Sequence, residues 1–140
     1  MSRRWPVFYS HAMQGLHLTA DLVDCRCDPA WLLDAARGTA RCLDAVRAAG
    51  LQAVAQLVHG FESPGLPPAG YTATVLLAES HVCLHTWPEQ HAVTLDVYVC
   101  NFSADHSAKA HALMDSLLAL FEPTRVTRQA LQRGSLAVAA

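Results

Sequence analysis

Ala92-Val93-Thr94-Leu95-Asp96-Val97-Tyr98-Val99-Cys100 alternates without a break. Val93, Leu95, Val97 and Val99 fall on one side and Thr94, Asp96, Tyr98 and Cys100 on the other, the two-residue period of a half-buried strand. Just upstream, Trp87-Pro88-Glu89-Gln90 turns the chain. Before it, two strand-like runs, Thr72 to Ala78 and His81 to Thr86, are separated by a break at Glu79–Ser80. Gly60 to Gly70 holds Pro64, Gly65, Pro67 and Pro68 and reads as a loop, and Leu51 to His59 reads as a further strand.

The same reasoning extends to both ends. Leu16, Leu18, Ala20 and Leu22 alternate with His17, Thr19 and Asp21, giving another half-buried strand. Asp28 followed by Pro29 marks a helix start, and Leu32, Ala36, Ala40, Leu43 and Val46 recur at helical spacing up to Gly50. One helix is therefore expected over residues 29–49, with Gly38 a tolerated weak point. Ser103 or Asp105 starts a second helix with the stripe Ala110, Leu113, Met114, Leu117, Leu118 and Phe121, stopped by Pro123. Val126 to Leu131 is read as a last strand, residues 1–13 as a ragged lead and residues 135–140 as a loose tail. These segments predict one α+β domain spanning residues 1–140: a two-layer sandwich, a mostly antiparallel sheet with two helices on one face. The other face then needs cover, so a homodimer is expected.

Composition narrows the function. Apolar residues at 52% and charged residues at 16% allow a packed core and exclude a disordered chain. A net charge of −2 gives no reason to expect nucleic acid or an anionic membrane as partner. No apolar run is long enough to span a bilayer, and the first ten residues lack the apolar core of a secretory signal. Five cysteines, Cys25, Cys27, Cys42, Cys83 and Cys100, lack CxxC spacing, which suits reduced thiols in a cytoplasm. Lys109 is the only lysine, which weakens any mechanism built on a lysine Schiff base.

Chemistry concentrates in Ala78-Glu79-Ser80-His81-Val82-Cys83-Leu84-His85-Thr86-Trp87-Pro88-Glu89, with His91 close by and Cys100 twenty residues after Ser80. His81, Cys83 and His85 share one strand face and could present donors to zinc, but no further ligand pair has metal spacing, so no metal is expected. The alternation also sets Ser80 and His85 on opposite faces. A bulge near Ser80, or a meeting across the dimer, would have to bring them together.

Glu79-Ser80-His81, His85-Thr86-Trp87-Pro88-Glu89, Asp96 and Cys100 together resemble the signature of the bacterial and archaeal S-adenosylmethionine decarboxylase proenzymes. Gly15-Leu16-His17-Leu18 and Asp24-Cys25 are similar to that family's first strand, and the resemblance covers about residues 14–133. It implies self-cleavage between Glu79 and Ser80. Ser80 attacks the Glu79 carbonyl to give an ester, a base takes the serine α-proton, and β-elimination frees the Glu79 carboxylate. Water then converts the dehydroalanine left behind, with loss of ammonia, to a pyruvoyl group derived from Ser80, an electron sink of the kind pyridoxal phosphate supplies elsewhere.

The same resemblance implies His85 as processing base and Thr72, where the family has serine, as the hydroxyl that steadies the acyl shift. Cys100 is implied as the general acid, since a thiol is mostly protonated at neutral pH. Phe61, Trp87 and Glu89 are the implied contacts of a small-molecule, amino-acid-type substrate, with Trp87 readable instead as a core or dimer aromatic. The loop from Glu62 to Gly70 is about five residues longer than the family's, and Asn101 stands where glycine is usual. Both departures keep open a pyruvoyl-dependent L-ornithine or L-arginine decarboxylase, and a third reading is an unprocessed binding or regulatory homologue.

Overall fold

The computed structural model describes residues 14–102 and 104–134. The expectations for the lead, for a helix start at Ser103 and for the tail lie outside them. The described residues form an α+β fold, with strands β1 (Gly15–Cys25), β2 (Ala53–Gly60), β3 (Tyr71–Leu77), β4 (His81–Trp87), β5 (Ala92–Cys100) and β6 (Pro123–Arg133). The helices are α1 (Ala30–Leu33), α2 (Ala35–Ala48) and α3 (Ser107–Phe121), and Pro88–Gln90 is a 3-10 turn. The strands make one sheet in the order β2-β3-β4-β5-β1-β6, with every neighbouring pair antiparallel.

Residues 29–49 are not the single expected helix. Asp34 breaks them, with an extended backbone (φ −96, ψ 99) and a carboxylate that accepts the Arg37 N–H at 3.0 Å. A short acceptor in mid-helix competes for backbone donors, and here it caps a new helix instead of continuing the old one. The sheet face therefore carries three helices: α2 over β2 and β3, α3 over β1 and β5, and α1 against β4. The second expected helix starts at Ser107. It ends at Glu122, which takes a left-handed conformation (φ 48) and donates its N–H to Leu118 O before Pro123 opens β6.

Alternation sorts the sheet into two unlike faces. Leu16, Leu18, Ala20, Leu22, Val82, Leu84, Val93, Leu95, Val97 and Val99 are buried under the helices, against Val46, Leu113, Met114, Leu117 and Phe121. The opposite, open face carries His17, Thr19, Thr72, Thr74, His81, Cys83, His85, Thr94, Asp96, Tyr98 and Cys100, each only partly buried. Two of the buried polar groups tie the layers. Thr86 accepts the Tyr71 N–H and donates to Leu32 O, and the Tyr71 hydroxyl donates to Trp31 O at 2.7 Å.

Gly38 is a requirement of packing, not the tolerated weak point expected. A Cβ there would lie 1.8 Å from the fully buried Tyr71 hydroxyl oxygen and 2.8 Å from Trp31 O. Gly38→Ala should therefore lower stability by about 2 kcal/mol, through overpacking and loss of the Tyr71 hydrogen bond, despite the better helix propensity of alanine. Urea denaturation checks this, and the loss should shrink in a Tyr71→Phe background.

Candidate active site

The break at Glu79–Ser80 is a tight hairpin between β3 and β4. Leu77 and Ser80 close it, with the Leu77 N–H donating to Ser80 O at 2.9 Å and the Ser80 N–H making only a long 3.4 Å bond to Leu77 O. The Ser80 hydroxyl oxygen accepts the backbone N–H of Cys100 at 3.1 Å, so the ends of β4 and β5 hold it. A hollow of about 250 Å³ lies beside the hairpin, lined by Gly50, Leu51, Gln52, Ala78, Glu79 and His106 among others.

The second grouping lies at the other end of the sheet. Thr72 and His85 are register partners on β3 and β4, and Thr72 Oγ1 sits 2.9 Å from His85 Nδ1. Phe61 follows β2 at this end, meeting the His59 ring edge-on at 4.9 Å, with its N–H on Gly70 O. Trp87 closes β4 and is 45% exposed, which removes its reading as a core aromatic. Glu89 is exposed in the 3-10 turn that follows. Five residues of strand separate Ser80 from His85, roughly 16 Å at strand rise. Nor does a bulge in β4 turn the two to one face: β4 pairs with β3 and β5 without a register shift, and the shift recorded in this sheet lies at Ala53/Ala55 of β2.

Between the two ends lies a grouping that sequence spacing does not reveal. His17 and His81 are the register partners of Tyr98 on either side of β5, and Asp96 follows two residues away on the same face. Both imidazole Nε2 atoms meet Asp96 Oδ2, at 2.9 Å from His17 and 3.2 Å from His81. His81, Cys83 and His85 do share the open face, but Cys83 Sγ is engaged with Thr74 Oγ1 at 3.5 Å, not with the histidines. His17 escapes a sequence reading because only the pairing of β1 with β5 brings it to His81.

Family comparison agrees with this architecture. A family model described as S-adenosylmethionine decarboxylase matches residues 16–134. The S-adenosylmethionine decarboxylase proenzyme of Aquifex aeolicus is 36% identical over 121 residues, covering 86% of this chain and 81% of the relative. That of Picrophilus torridus is 33% identical over 124 residues, covering 86% and 85%. The crystal structure of the adenosylmethionine decarboxylase from Aquifex aeolicus superposes with a TM-score of 0.77 at 31% identity, covering 93% of this chain and 98% of that one. The fold and matches define a decarboxylase scaffold of the proenzyme type. The chain belongs to the S-adenosylmethionine decarboxylase family.

The thiols divide by environment. Burial pushes Cys42 from 9.0 up to about 12; burial, helped by Cys27 and Asp24, pushes Cys25 up to about 11. Cys100 lies partly exposed on the open face. At pH 8 such shifts cut the reactive thiolate about a thousandfold at Cys42 and about a hundredfold at Cys25. Alkylation followed by peptide mass spectrometry should therefore label Cys100 first, Cys25 far later and Cys42 last.

Proposed function

We propose that this chain is a self-processing S-adenosylmethionine decarboxylase that cuts itself between Glu79 and Ser80 and makes its catalytic group from Ser80. The observation that carries this is the Ser80 hairpin: the serine hydroxyl is held at the end of β5 beside Cys100, while its own N–H is only loosely engaged. An N-to-O acyl shift must release that N–H, and a 3.4 Å bond costs little to lose. The carbonyl of residue 80 keeps the Leu77 N–H as donor, which suits the amide next to a newly formed ketone. When formed, the pyruvoyl group supplies the electron sink for loss of carbon dioxide. Cys100 is the proposed proton donor to the product carbon, and Phe61, Trp87 and Glu89 are the proposed substrate contacts.

Two copies complete the site. Ser80 lies at the end of the sheet where Cys100 closes β5, and Thr72, His85, Phe61, Trp87 and Glu89 lie toward the other end. A two-fold stacking of open faces in antiparallel sense brings one copy's Ser80 end over its partner's His85 end. It also covers Leu57, 78% exposed, and Leu131, 52% exposed, which a lone chain leaves in water. Five unpaired cysteines suit a reducing cytoplasmic setting. No described helix is long and apolar enough to cross a membrane.

Mass spectrometry of the purified protein should find two chains, residues 1–79 and 80–140, the second blocked at its N-terminus. Ser80→Ala should stay whole, and the processed protein should release carbon dioxide from S-adenosylmethionine but not from ornithine or arginine. Release from ornithine or arginine alone would move the chain to the alternative substrate class. Thr72→Val should slow cleavage at least tenfold, while Thr72→Ser keeps it. Mixing Ser80→Ala with His85→Ala chains under exchange conditions tests the composite site: cleavage of the His85→Ala chain should return only if the partner's histidine serves it.

A further inference from the structure

We propose that His17, His81 and Asp96 form a site for one first-row divalent ion of borderline softness, zinc or cobalt, which ties the two processed chains together. Three neighbouring strands supply one ligand each on the open face. Register alone sets their spacing: His17 and His81 flank Tyr98 from β1 and β4, and Asp96 lies two residues along β5. The three donor atoms all fall within 4.8 Å of one another.

The spacing is close to what a metal needs. Tetrahedral zinc with bonds of about 2.0–2.1 Å separates neighbouring donors by about 3.3 Å. Here the Nε2 atoms stand 2.9 and 3.2 Å from the carboxylate oxygen, close to that spacing, and the two imidazole nitrogens lie within 4.8 Å of each other, so small side-chain rotations complete the triangle. Two imidazoles and one carboxylate favour zinc, cobalt or nickel over magnesium and calcium, which take oxygen ligands. In a single chain the side chains are 20%, 33% and 27% exposed for His17, His81 and Asp96, so packing already holds the donors before a second copy covers the face. A hollow of about 260 Å³ adjoins them, lined by His17, Thr19, Asp21, His85, Thr94, Leu95 and Asp96, and leaves room for a water or substrate group as a fourth ligand.

One neighbour opposes the ion. Arg133 Nη1 lies 3.4 Å from His17 Nδ1, where a metal-bound histidine ordinarily donates to a carboxylate or carbonyl. A guanidinium cannot accept that proton, and its charge repels the ion. This makes the site one that fills at raised metal concentration, and it gives the proposal a signature: removing Arg133 should tighten binding, the reverse of the usual second-sphere loss.

His17 belongs to the 1–79 part of the chain, and His81 and Asp96 to the 80–140 part. After cleavage the ion would bridge two polypeptides. The bridging rests on cleavage between Glu79 and Ser80, while binding itself does not, so uptake is measured on both the processed protein and the intact Ser80→Ala chain. Zinc titrated calorimetrically into chelator-stripped protein should bind at one ion per 1–140 unit. Cobalt should develop visible absorption of a four- or five-coordinate N/O site and broaden the ring protons of His17 and His81 in NMR spectra.

His17→Gln and Asp96→Asn should each weaken binding at least tenfold, Arg133→Gln should tighten it, and His111→Gln on α3 should leave it unchanged. Zinc should raise the melting temperature of the processed protein, and chelator should reverse the rise. No saturable uptake, uptake that survives both ligand variants, or wild-type spectra in which neither His17 nor His81 is broadened would each overturn the site. Binding that does not raise the melting temperature of cleaved protein would overturn the tie between the chains. Because the broadening is read on wild-type protein, misfolding of a variant cannot rescue or sink the assignment.

Discussion

The unbroken register of β4 between β3 and β5 is the constraint on which the rest of the site depends. Antiparallel pairing fixes which residues stand side by side, and the two-residue pleat fixes which face they share. Once Val82 and Leu84 are committed to the helices, His81, Cys83 and His85 must face the other way. A slip of one residue would bury three polar groups and expose Val82, Leu84 and Thr86. The apolar half of the sheet thus holds the reactive half in place, although none of the reactive side chains belongs to the core.

That rigidity also bears on the proposed two-copy site. Ser80 sits in the hairpin before β4 and His85 near its far end, and because a strand cannot fold back on itself, the two stay far apart within one chain. Thr72 can reach His85 because β3 is the neighbouring strand, and Ser80 can reach the Cys100 N–H because β5 is. Each contact crosses one strand spacing, and none runs along the strand. In the proposed dimer, a second sheet laid over the first joins the two ends. The open face has the mixed character such a layer needs: partly buried polar groups in the middle and exposed Leu57, Leu76 and Leu131 toward its margins.

Most of this was legible in the sequence wherever a two-residue period was long enough to read. The alternation from Ala92 to Cys100 and from Leu16 to Leu22 set strands and faces correctly, and Ser80, His85 and Cys100 could be singled out before their positions were known. Legibility failed where a local choice depended on a distant partner. Asp34 sits within a stretch of good helical periodicity, and nothing nearby says that its carboxylate will cap a new helix. Gly38 looks like a weak helix residue until the Tyr71 hydroxyl, more than thirty positions away, is found against it. His17 and Asp96 are 79 residues apart, and only the order β4-β5-β1 reveals that they touch.

The order of strands bears on how a chain can cut itself and remain an enzyme. Of the six strands, β1, β2 and β3 precede Ser80, and β4, β5 and β6 follow it. In space they interleave: β2 and β3, then β4 and β5, then β1, then β6. Strand β1 of the first part is hydrogen-bonded on both sides by strands of the second, over most of its length. Helix α2 of the first part also packs on α3 of the second. Cutting the hairpin at Glu79–Ser80 removes one of the shortest connections in the sheet, whose closure contributes little order beyond what the paired strands already impose. The two pieces cannot part without breaking both ladders of β1 and opening the core. A cut at the long Gly60–Gly70 loop would also leave interleaved pieces, but it would release no residue beside Cys100. The hairpin is the connection where breaking a bond costs the sheet little and creates a new chain end at the mouth of the site.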